Sequence, residues 1–332
     1  MKRKLFCLFL CAVFLCAPLS SCAPKTECTE TFFFMDTLIT VTLYTDPTSA
    51  APIFDNSRSI LRELDALWSR TKEGSDIWRI NEANEGSVTV DLRTADLIAK
   101  AQEITALTNG VFDITVAPLV ELWQKAEAKD CLPDALELST ALSLMGGEQI
   151  TLKGSSVSKQ SGEVAIDLGG IGKGAAISCL LSYLQDCDLP GGLVSFGSNV
   201  AVLGAKPDGT DFQIALRNPV GDSPYAGKLP MREGEILSVS GDYERYYTLD
   251  GERYHHIFDP KTGYPARSGL CSVAVLCADG ALADALSTAL FVMGEETARA
   301  FYDSGVYDFE AVFISPEGQV SVTEGLEDRF IP

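Results

Sequence analysis

Histidine is nearly absent from this chain: there are two in 332 residues, and they are neighbours, His255 and His256. No cysteine pair has CxxC spacing. A structural zinc site is therefore disfavoured, because it draws on those two residue types. Basic residues are also scarce, 26 Lys and Arg against 46 Asp and Glu, for a net charge of −20. A surface of that sign repels nucleic acid and anionic headgroups, which argues against a polyanion-binding protein and against any nucleic-acid partner. The average does not describe one pocket, where a local cation or metal ion can still hold a phosphate. No uncharged apolar run reaches the ~20 residues of a spanning helix. Long Pro/Ser linkers, internal repeats and low-complexity tracts are missing too. With 46% apolar residues the chain has ample core material, which excludes disorder of its bulk.

What is present begins with an export signal. Lys2, Arg3 and Lys4 form a basic start, and Leu5 to Leu19 is apolar and uncharged. That run has the length of a signal-peptide core and is short for a membrane span. It ends in Leu19-Ser20-Ser21-Cys22, small residues before a cysteine, as in a bacterial lipobox. Residues 1–21 read as a lipoprotein signal peptide, Cys22 as the lipidated residue, and 22–30 as the lipidated start and short polar tether. The implied location is outside the cell membrane, on a lipid anchor. A signal peptide cut elsewhere or an uncleaved anchor is the plainer alternative. Six cysteines remain beyond Cys22, and an exported chain could oxidise them. Cys271 and Cys277 lie six apart in a strand-like run, about 20 Å. Cys179 and Cys187 lie eight apart in a helix-like run, about 12 Å. Both exceed the ~7 Å reach of a disulfide.

Periodicity predicts a strand from Phe32 to Tyr44, with Leu38, Thr40, Thr42 and Tyr44 alternating. Ile60, Leu61, Leu64, Leu67 and Trp68 repeat with helical spacing. A helix is predicted from Thr94 as N-cap to Gly110 as stop. Shorter helical patterns cover 118–126 and 134–145. A strand at 164–167 leads through glycines into a helix at 173–187. From 192 to 276 the signals are mostly strands, helices return at 281–293 and 295–303, and a hairpin turning at Pro316-Glu317-Gly318 closes the chain. Helices and strands come in blocks rather than in βαβ alternation. That predicts an α+β fold, a largely antiparallel sheet packed with helices, as one compact domain over 31–332.

Three motifs are able to carry chemistry. Asp167-Leu-Gly-Gly-Ile-Gly-Lys-Gly174 enters a helix, and its glycines free backbone N–H groups to approach a phosphate, with Lys173 adding charge. It is neither a Walker A loop nor GxGxxG, and a tight turn with a solvated lysine fits the spacing equally well. His255 and His256 are adjacent on a strand and so face opposite ways. At most one enters a given site, as a base or phosphate ligand, while a satisfied half-buried histidine is the commoner outcome. Asp284 and Thr288 are i, i+4 on an apolar helix. A buried carboxylate there needs a partner or a cation, and carboxylate, hydroxyl and carbonyl oxygens suit Mg²⁺. The plainer alternative has Thr288 bonding back to the Asp284 carbonyl. Ser240-Gly-Asp-Tyr243 and Phe112-Asp113-Ile-Thr115 combine aromatic and acidic residues but are weaker signals.

In their order these motifs resemble the ApbE family, the FAD:protein FMN transferases. Met35-Asp36-Thr37, Ser75-Asp76-Ile77 to Asn81, and Gly110-Val-Phe-Asp-Ile-Thr115 come first. Ile166 to Gly174, Gly197-Ser-Asn199, Ser240-Gly-Asp-Tyr243, His256 to Gly263 and Ala283-Asp-Ala-Leu-Ser-Thr288 follow. The resemblance implies an ApbE-like, T-fold-like layered fold. It implies FAD as substrate, bound through its pyrophosphate on a Mg²⁺ centre. A threonine hydroxyl of an exported or membrane acceptor protein would attack the FMN-side phosphorus and release AMP. By the same resemblance Asp284, Thr288 and the Gly170 carbonyl hold the metal, with Asp284 also counted as catalytic. Asp167, Lys173 and Ser240 line the nucleotide site, and Met35, Arg70, Thr71 and Asp113 contact flavin or adenosine. His256 is the candidate for proton transfer and also lines the FAD site. Ala175, Ser178, Ser198 and Val239 depart from the family pattern without removing a metal ligand. Two alternatives stay open, a Mg²⁺-dependent FAD pyrophosphatase and an FAD-binding lipoprotein without turnover.

Overall fold

The chain enters the fold through a hairpin where one strand was expected over 32–44. In the computed structural model, which describes residues 26–332, β1 (Thr26–Phe34) pairs antiparallel with β2 (Thr37–Thr45), and Phe34 faces Thr37. Met35 and Asp36 form the turn with φ of 51° and 54°. Two successive positive φ values make the tight turn that matches strand twist, and periodicity does not register it. The alternation of Leu38, Thr40, Thr42 and Tyr44 marks the outer face of β2. Residues 26–30 of the expected tether belong to β1, where Thr29 and Thr31 meet the hydroxyls of Thr42 and Thr40. The signal peptide and Cys22 lie outside the described residues.

α1 (Pro47–Trp68) starts well before the apolar stripe because Asp46 caps it, accepting from the N–H groups of Thr48 and Ser49. Its buried face runs Phe54, Ser57, Leu61, Leu64 and Trp68. α2 (Asp76–Glu82) and β3 (Ser87–Thr89) lead to α3 (Leu92–Leu107). α3 is capped by Asp91, not by Thr94, whose buried hydroxyl donates to Asp76 Oδ2 instead. α4 (Ala117–Ala128), α5 (Ala135–Ser143), β4 (Ile150–Lys153) and β5 (Ser156–Lys159) follow. Residues 164–167 are extended but form no strand. Ile166 is held by the Asn81 side chain, which donates to its carbonyl and accepts from its N–H.

α6 (Gly172–Gln185) opens the second half. β6 (Gly191–Phe196), β7 (Asn199–Gly204), β8 (Phe212–Arg217), β9 (Tyr225–Met231) and β10 (Ile236–Gly241) come next. β11 (Tyr246–Leu249), β12 (Glu252–His255), β13 (Ser272–Cys277), α7 (Gly280–Met293) and α8 (Glu295–Asp303) precede the closing hairpin β14 (Glu310–Ile314) and β15 (Val320–Val322). The main sheet has eight strands in the order β1-β2-β6-β7-β10-β13-β14-β15, and every neighbouring pair is antiparallel. The expected α+β class and single domain hold. One face of the sheet buries the large core under α1, α6 and α7, and the other carries a smaller core under the β8–β9 hairpin. The six cysteines of the described residues are all free thiols.

α6 and α7 cross at glycine. A Cβ on Gly174 would overlap the Gly280 carbonyl and the Asp284 Cβ, and a Cβ on Gly280 would overlap the Gly174 carbonyl. Backbone cannot yield as a flexible side chain would. Gly174→Ala is therefore expected to cost about 3 kcal/mol, the upper range for overpacking. Thermal unfolding checks it, with a drop of about 5–10 °C expected. A midpoint within 1 °C or so of the parent would show that the two helices have room to separate.

Candidate active site at the α6–α7 crossing

The crossing brings the glycine loop onto α7. Asp284 lies on the fifth residue of α7 and is buried. Its Oδ2 accepts from the Gly174 N–H at 3.0 Å, so it caps the start of α6 from outside. Lys173 Nζ lies 3.3 and 3.4 Å from the two carboxylate oxygens and donates to the Gly169 carbonyl at 3.0 Å. Lys173 is thus a partner of the site and not a solvated turn residue. Ser238, on β10, lies 3.2 Å from Asp284 Oδ1.

Two residues on β10 meet three on α7. Ser238 meets Asp284, and Ser240 Oγ lies 2.8 Å from Ser287 Oγ and 3.3 Å from Thr288 Oγ1. Two residues of strand span about 6.8 Å and four of helix about 6 Å, so the elements run in step. The same strand-face rule pairs Ser238 with Ser240 from sequence, yet Ser238 was missed. Thr288 Oγ1 also bonds back to the Asp284 carbonyl, at 3.4 Å. Gly170 packs beside it, since a Cβ there would sit 3.8 Å from Thr288 Oγ1 and 3.2 Å from the Phe112 ring. Among the described residues, no three His, Cys, Asp or Glu side chains converge on a metal. A cation here would be held by one carboxylate and neutral oxygens, a donor set that fits Mg²⁺ carrying water and substrate phosphate. The ammonium on Asp284 marks the carboxylate as a cation locus.

The histidines divide their roles. His255 is buried, its Nε2 facing the Ala266 carbonyl at 3.0 Å while its Nδ1 accepts from the Ile257 N–H at 3.2 Å. Both nitrogens are used, which makes it structural. His256 follows the end of β12 and is half-buried. Its Nδ1 faces the Arg245 carbonyl at 3.0 Å. A carbonyl only accepts, so Nδ1 carries the proton and Nε2 keeps a lone pair. Burial first, then the Arg245 charge, pushes the His256 pKa down to about 3, and Lys173 contributes.

Burial also pushes His255 down to about 4. Above the unfolded value of 6.5 both states hold these rings neutral, and they add no pH dependence. As pH falls from 6.5 towards 4, the unfolded chain binds protons that the folded chain refuses, so stability falls. His255 alone accounts for about 1.4 kcal/mol per pH unit in that window, and half-buried His256 adds less. Urea unfolding at pH 7, 6 and 5 checks this against His255→Asn, whose decline is expected to be shallower by that amount. Parallel declines would show that carboxylates alone set the acid limit.

Of the remaining expected residues, Met35, Asp167 and Arg70 lie about the glycine loop. Met35 reaches the loop, since its Cε lies 3.5 Å from where a Gly172 Cβ would be, and its N–H donates to Asp65. Asp167 accepts from the Gly169 N–H at 2.6 Å and pairs with Arg70 Nε at 3.0 Å. Arg70 also pairs with Glu121. Thr71 is not brought in: it is exposed and bonds to Ser69. The bend after α1 turns Arg70 inward and Thr71 out. Asp113 accepts from Thr115, and burial raises its pKa. It lines an open cleft of about 620 Å³ with Asn109, Glu148, Pro260 and Lys261. Asp284 and Lys173 do not line that cleft. Phe112, beside Asp113 and against Gly170, joins the two. Trp123 fixes the segment that carries Pro260 and Lys261, donating to the Gly263 carbonyl at 2.7 Å and stacking on Phe258. Ser178, at a departure from the family pattern, accepts from the Gly280 N–H at 2.9 Å and so serves the crossing.

Residues 35–313 match the family model described as the ApbE family. The chain is 33% identical over 244 residues to the FAD:protein FMN transferase of Vibrio cholerae, 73% of each chain. It is 30% identical over 277 residues to that of Klebsiella pneumoniae, covering 82% of this chain and 85% of the relative. The fold superposes on the crystal structure of the ApbE protein from Thermotoga maritima with a TM-score of 0.83 at 31% identity, over 92% of this chain and 99% of that one. The Pseudomonas stutzeri flavinyl transferase ApbE in its apo form matches at 0.80 and 27%, over 92% and 97%. A family model matched over most of the chain and relatives at 30% identity or more show that the chain belongs to the ApbE family.

Proposed function

We propose that this protein transfers the FMN part of FAD to a threonine hydroxyl of an acceptor protein and releases AMP. One observation carries the reading. The buried Asp284 carboxylate has the Lys173 ammonium 3.3 Å away and Thr288 one turn further along α7, which makes the α6–α7 crossing a place for a cation and a phosphate. Mg²⁺ would be held by Asp284, Thr288 and the Gly170 carbonyl, and when bound it neutralises charge on the pyrophosphate. Lys173 faces the same anion, whereas the Gly172 and Gly174 N–H groups of the loop are already bonded to the Leu168 carbonyl and to Asp284. The cleft wall at Asp113 and the Met35 turn are the surfaces for the flavin and adenosine ends, with Asp167 and Ser240 behind the phosphates. Arg70 acts through Asp167.

The acceptor Oγ–H loses its proton to His256 Nε2 as its oxygen bonds to the FMN-side phosphorus. The bridging P–O bond breaks, and its electron pair leaves with AMP. The flavin remains on the threonine as a phosphoester. The acceptor is proposed to be an exported or membrane redox protein, and the enzyme to be lipidated at Cys22 outside the cell membrane. The basic start, apolar run and Ser-Ser-Cys of residues 2–22 support that location.

The test is to incubate the protein with FAD, Mg²⁺ and an FMN-binding acceptor domain, then weigh the acceptor and assay AMP. A gain of one FMN that EDTA prevents supports transfer. AMP with free FMN and an unmodified acceptor, repeated with a second acceptor, would make the protein a pyrophosphatase. FAD binding without either product would make it a carrier.

A further inference from the structure

Behind Asp284 lies a cross-strand pair that the proposed reaction does not use. Asn199 on β7 and Ser238 on β10 face each other in register, and both are fully buried. Ser238 Oγ lies 2.5 Å from Asn199 Oδ1 and 3.2 Å from Asp284 Oδ1. Two acceptors thus compete for one hydroxyl proton. On the other side of the same amide, Asn199 Nδ2 is buried with no partner. A buried amide donor left unpaired costs its full desolvation.

A half-turn of the Asn199 amide ends the competition and pairs one of its two N–H groups. Nδ2–H then donates to Ser238 Oγ, and the Ser238 proton is free for Asp284 Oδ1. The amide oxygen takes the partnerless place, and an acceptor is the cheaper group to leave there. Oxygen and nitrogen are close in size, so no clash opposes the turn. We infer that Asn199 and Ser238 are positioning residues, a directed chain of donors that holds the Asp284 carboxylate in one orientation. Ser238 fixes Oδ1 while the Gly174 N–H fixes Oδ2. The remaining lone pairs are then left facing Lys173 and the cation locus. Outer partners of this kind set the aim and basicity of a ligand. The inference rests on the metal role proposed for Asp284.

Two measurements test it separately from that role. Neutron diffraction on the metal-free protein locates the deuterons. Two deuterons on the Asn199 atom nearest Ser238, and the Ser238 deuteron directed at Asp284, are expected. A Ser238 deuteron directed at Asn199 overturns the chain. Calorimetry with Mg²⁺ alone reads its consequence. Ser238→Ala and Asn199→Leu are each expected to weaken Mg²⁺ about 10- to 100-fold. The double variant should be no weaker than Ser238→Ala, because Asn199 acts only through Ser238, and Ser238→Thr should restore binding. Affinity within twofold of wild type for Ser238→Ala, or additive losses in the double variant, overturns the inference. Absence of Mg²⁺ binding in the wild type would defeat the metal reading instead, and the neutron result then decides the chain alone.

Discussion

Asp284→Asn is expected to abolish FMN transfer while leaving the fold standing. The amide keeps the volume of the carboxylate and one oxygen to accept from Gly174 or Ser238. What it loses is the charge. The site then holds Lys173 against a neutral group, and a divalent cation meets only neutral oxygens. Charge stabilisation by a bound metal is worth several kcal/mol at a phosphoryl centre. At 1.36 kcal/mol per decade, ~4 kcal/mol is about a 10³-fold loss of rate. Removing Mg²⁺ from the wild type with EDTA should cost at least as much. Acceptor mass and AMP release read the rate, and thermal unfolding without metal reads the fold. Transfer within tenfold of wild type would remove Asp284 from the chemistry and leave it only its capping of α6. Asp284→Ala is the poorer test, because it strands the Lys173 ammonium and the Ser238 hydroxyl in a partly buried site.

His256→Asn should lower the transfer rate by about 10²- to 10⁴-fold, the range for a lost general base. Asparagine still places a donor where Nδ1 meets the Arg245 carbonyl. It has nothing at Nε2. FAD binding is expected to persist, so the loss should appear in the rate and not in affinity. The pH dependence adds a second reading. In the free protein burial, Arg245 and Lys173 hold the His256 pKa down at about 3, so the ring is an unprotonated but weak base. A bound pyrophosphate brings negative charge beside those two cations and favours the imidazolium. The pKa therefore rises in the complex. The acid limb of kcat, which reports the complex, is expected at higher pH than that of kcat/KM, which reports the free enzyme. Coincident limbs, or an Asn variant with wild-type rate, would assign proton transfer elsewhere.

Much of this was readable in the chain. Periodicity placed α7 and α8 within a residue of their bounds and placed the start of α6, because long amphipathic or apolar runs carry a strong 3.6-residue signal. The spacing of Asp284 and Thr288 alone put them on one helix face. Disulfides within the two close cysteine pairs were excluded by reach, and both pairs are free thiols. The misses share a cause. The Met35-Asp36 turn, the Asp91 cap and the Asn81 clasp on Ile166 are set by single residues or distant partners, and no local pattern registers them.

The sequence by itself determined the family, the α+β class, the glycine loop and the placing of Asp284 and Thr288 on one face of α7, since each is written in residue type and short spacing. Only the tertiary structure decided how those pieces meet. Lys173 and Asp284 are 111 residues apart in the chain, and Ser238 and Asp284 are 46 apart. Their contact depends on two glycines that let α6 and α7 touch, and on β10 running in step with α7. The choice between the histidines was likewise settled in three dimensions. Strand geometry said that one of them at most could serve; each ring meets a carbonyl, and the Ile257 N–H fills the second nitrogen of His255 and leaves that of His256 free. A local pattern says which face a side chain takes. What waits on that face is supplied by chain far away, and it enters only when the sheet and the crossing helices close around it.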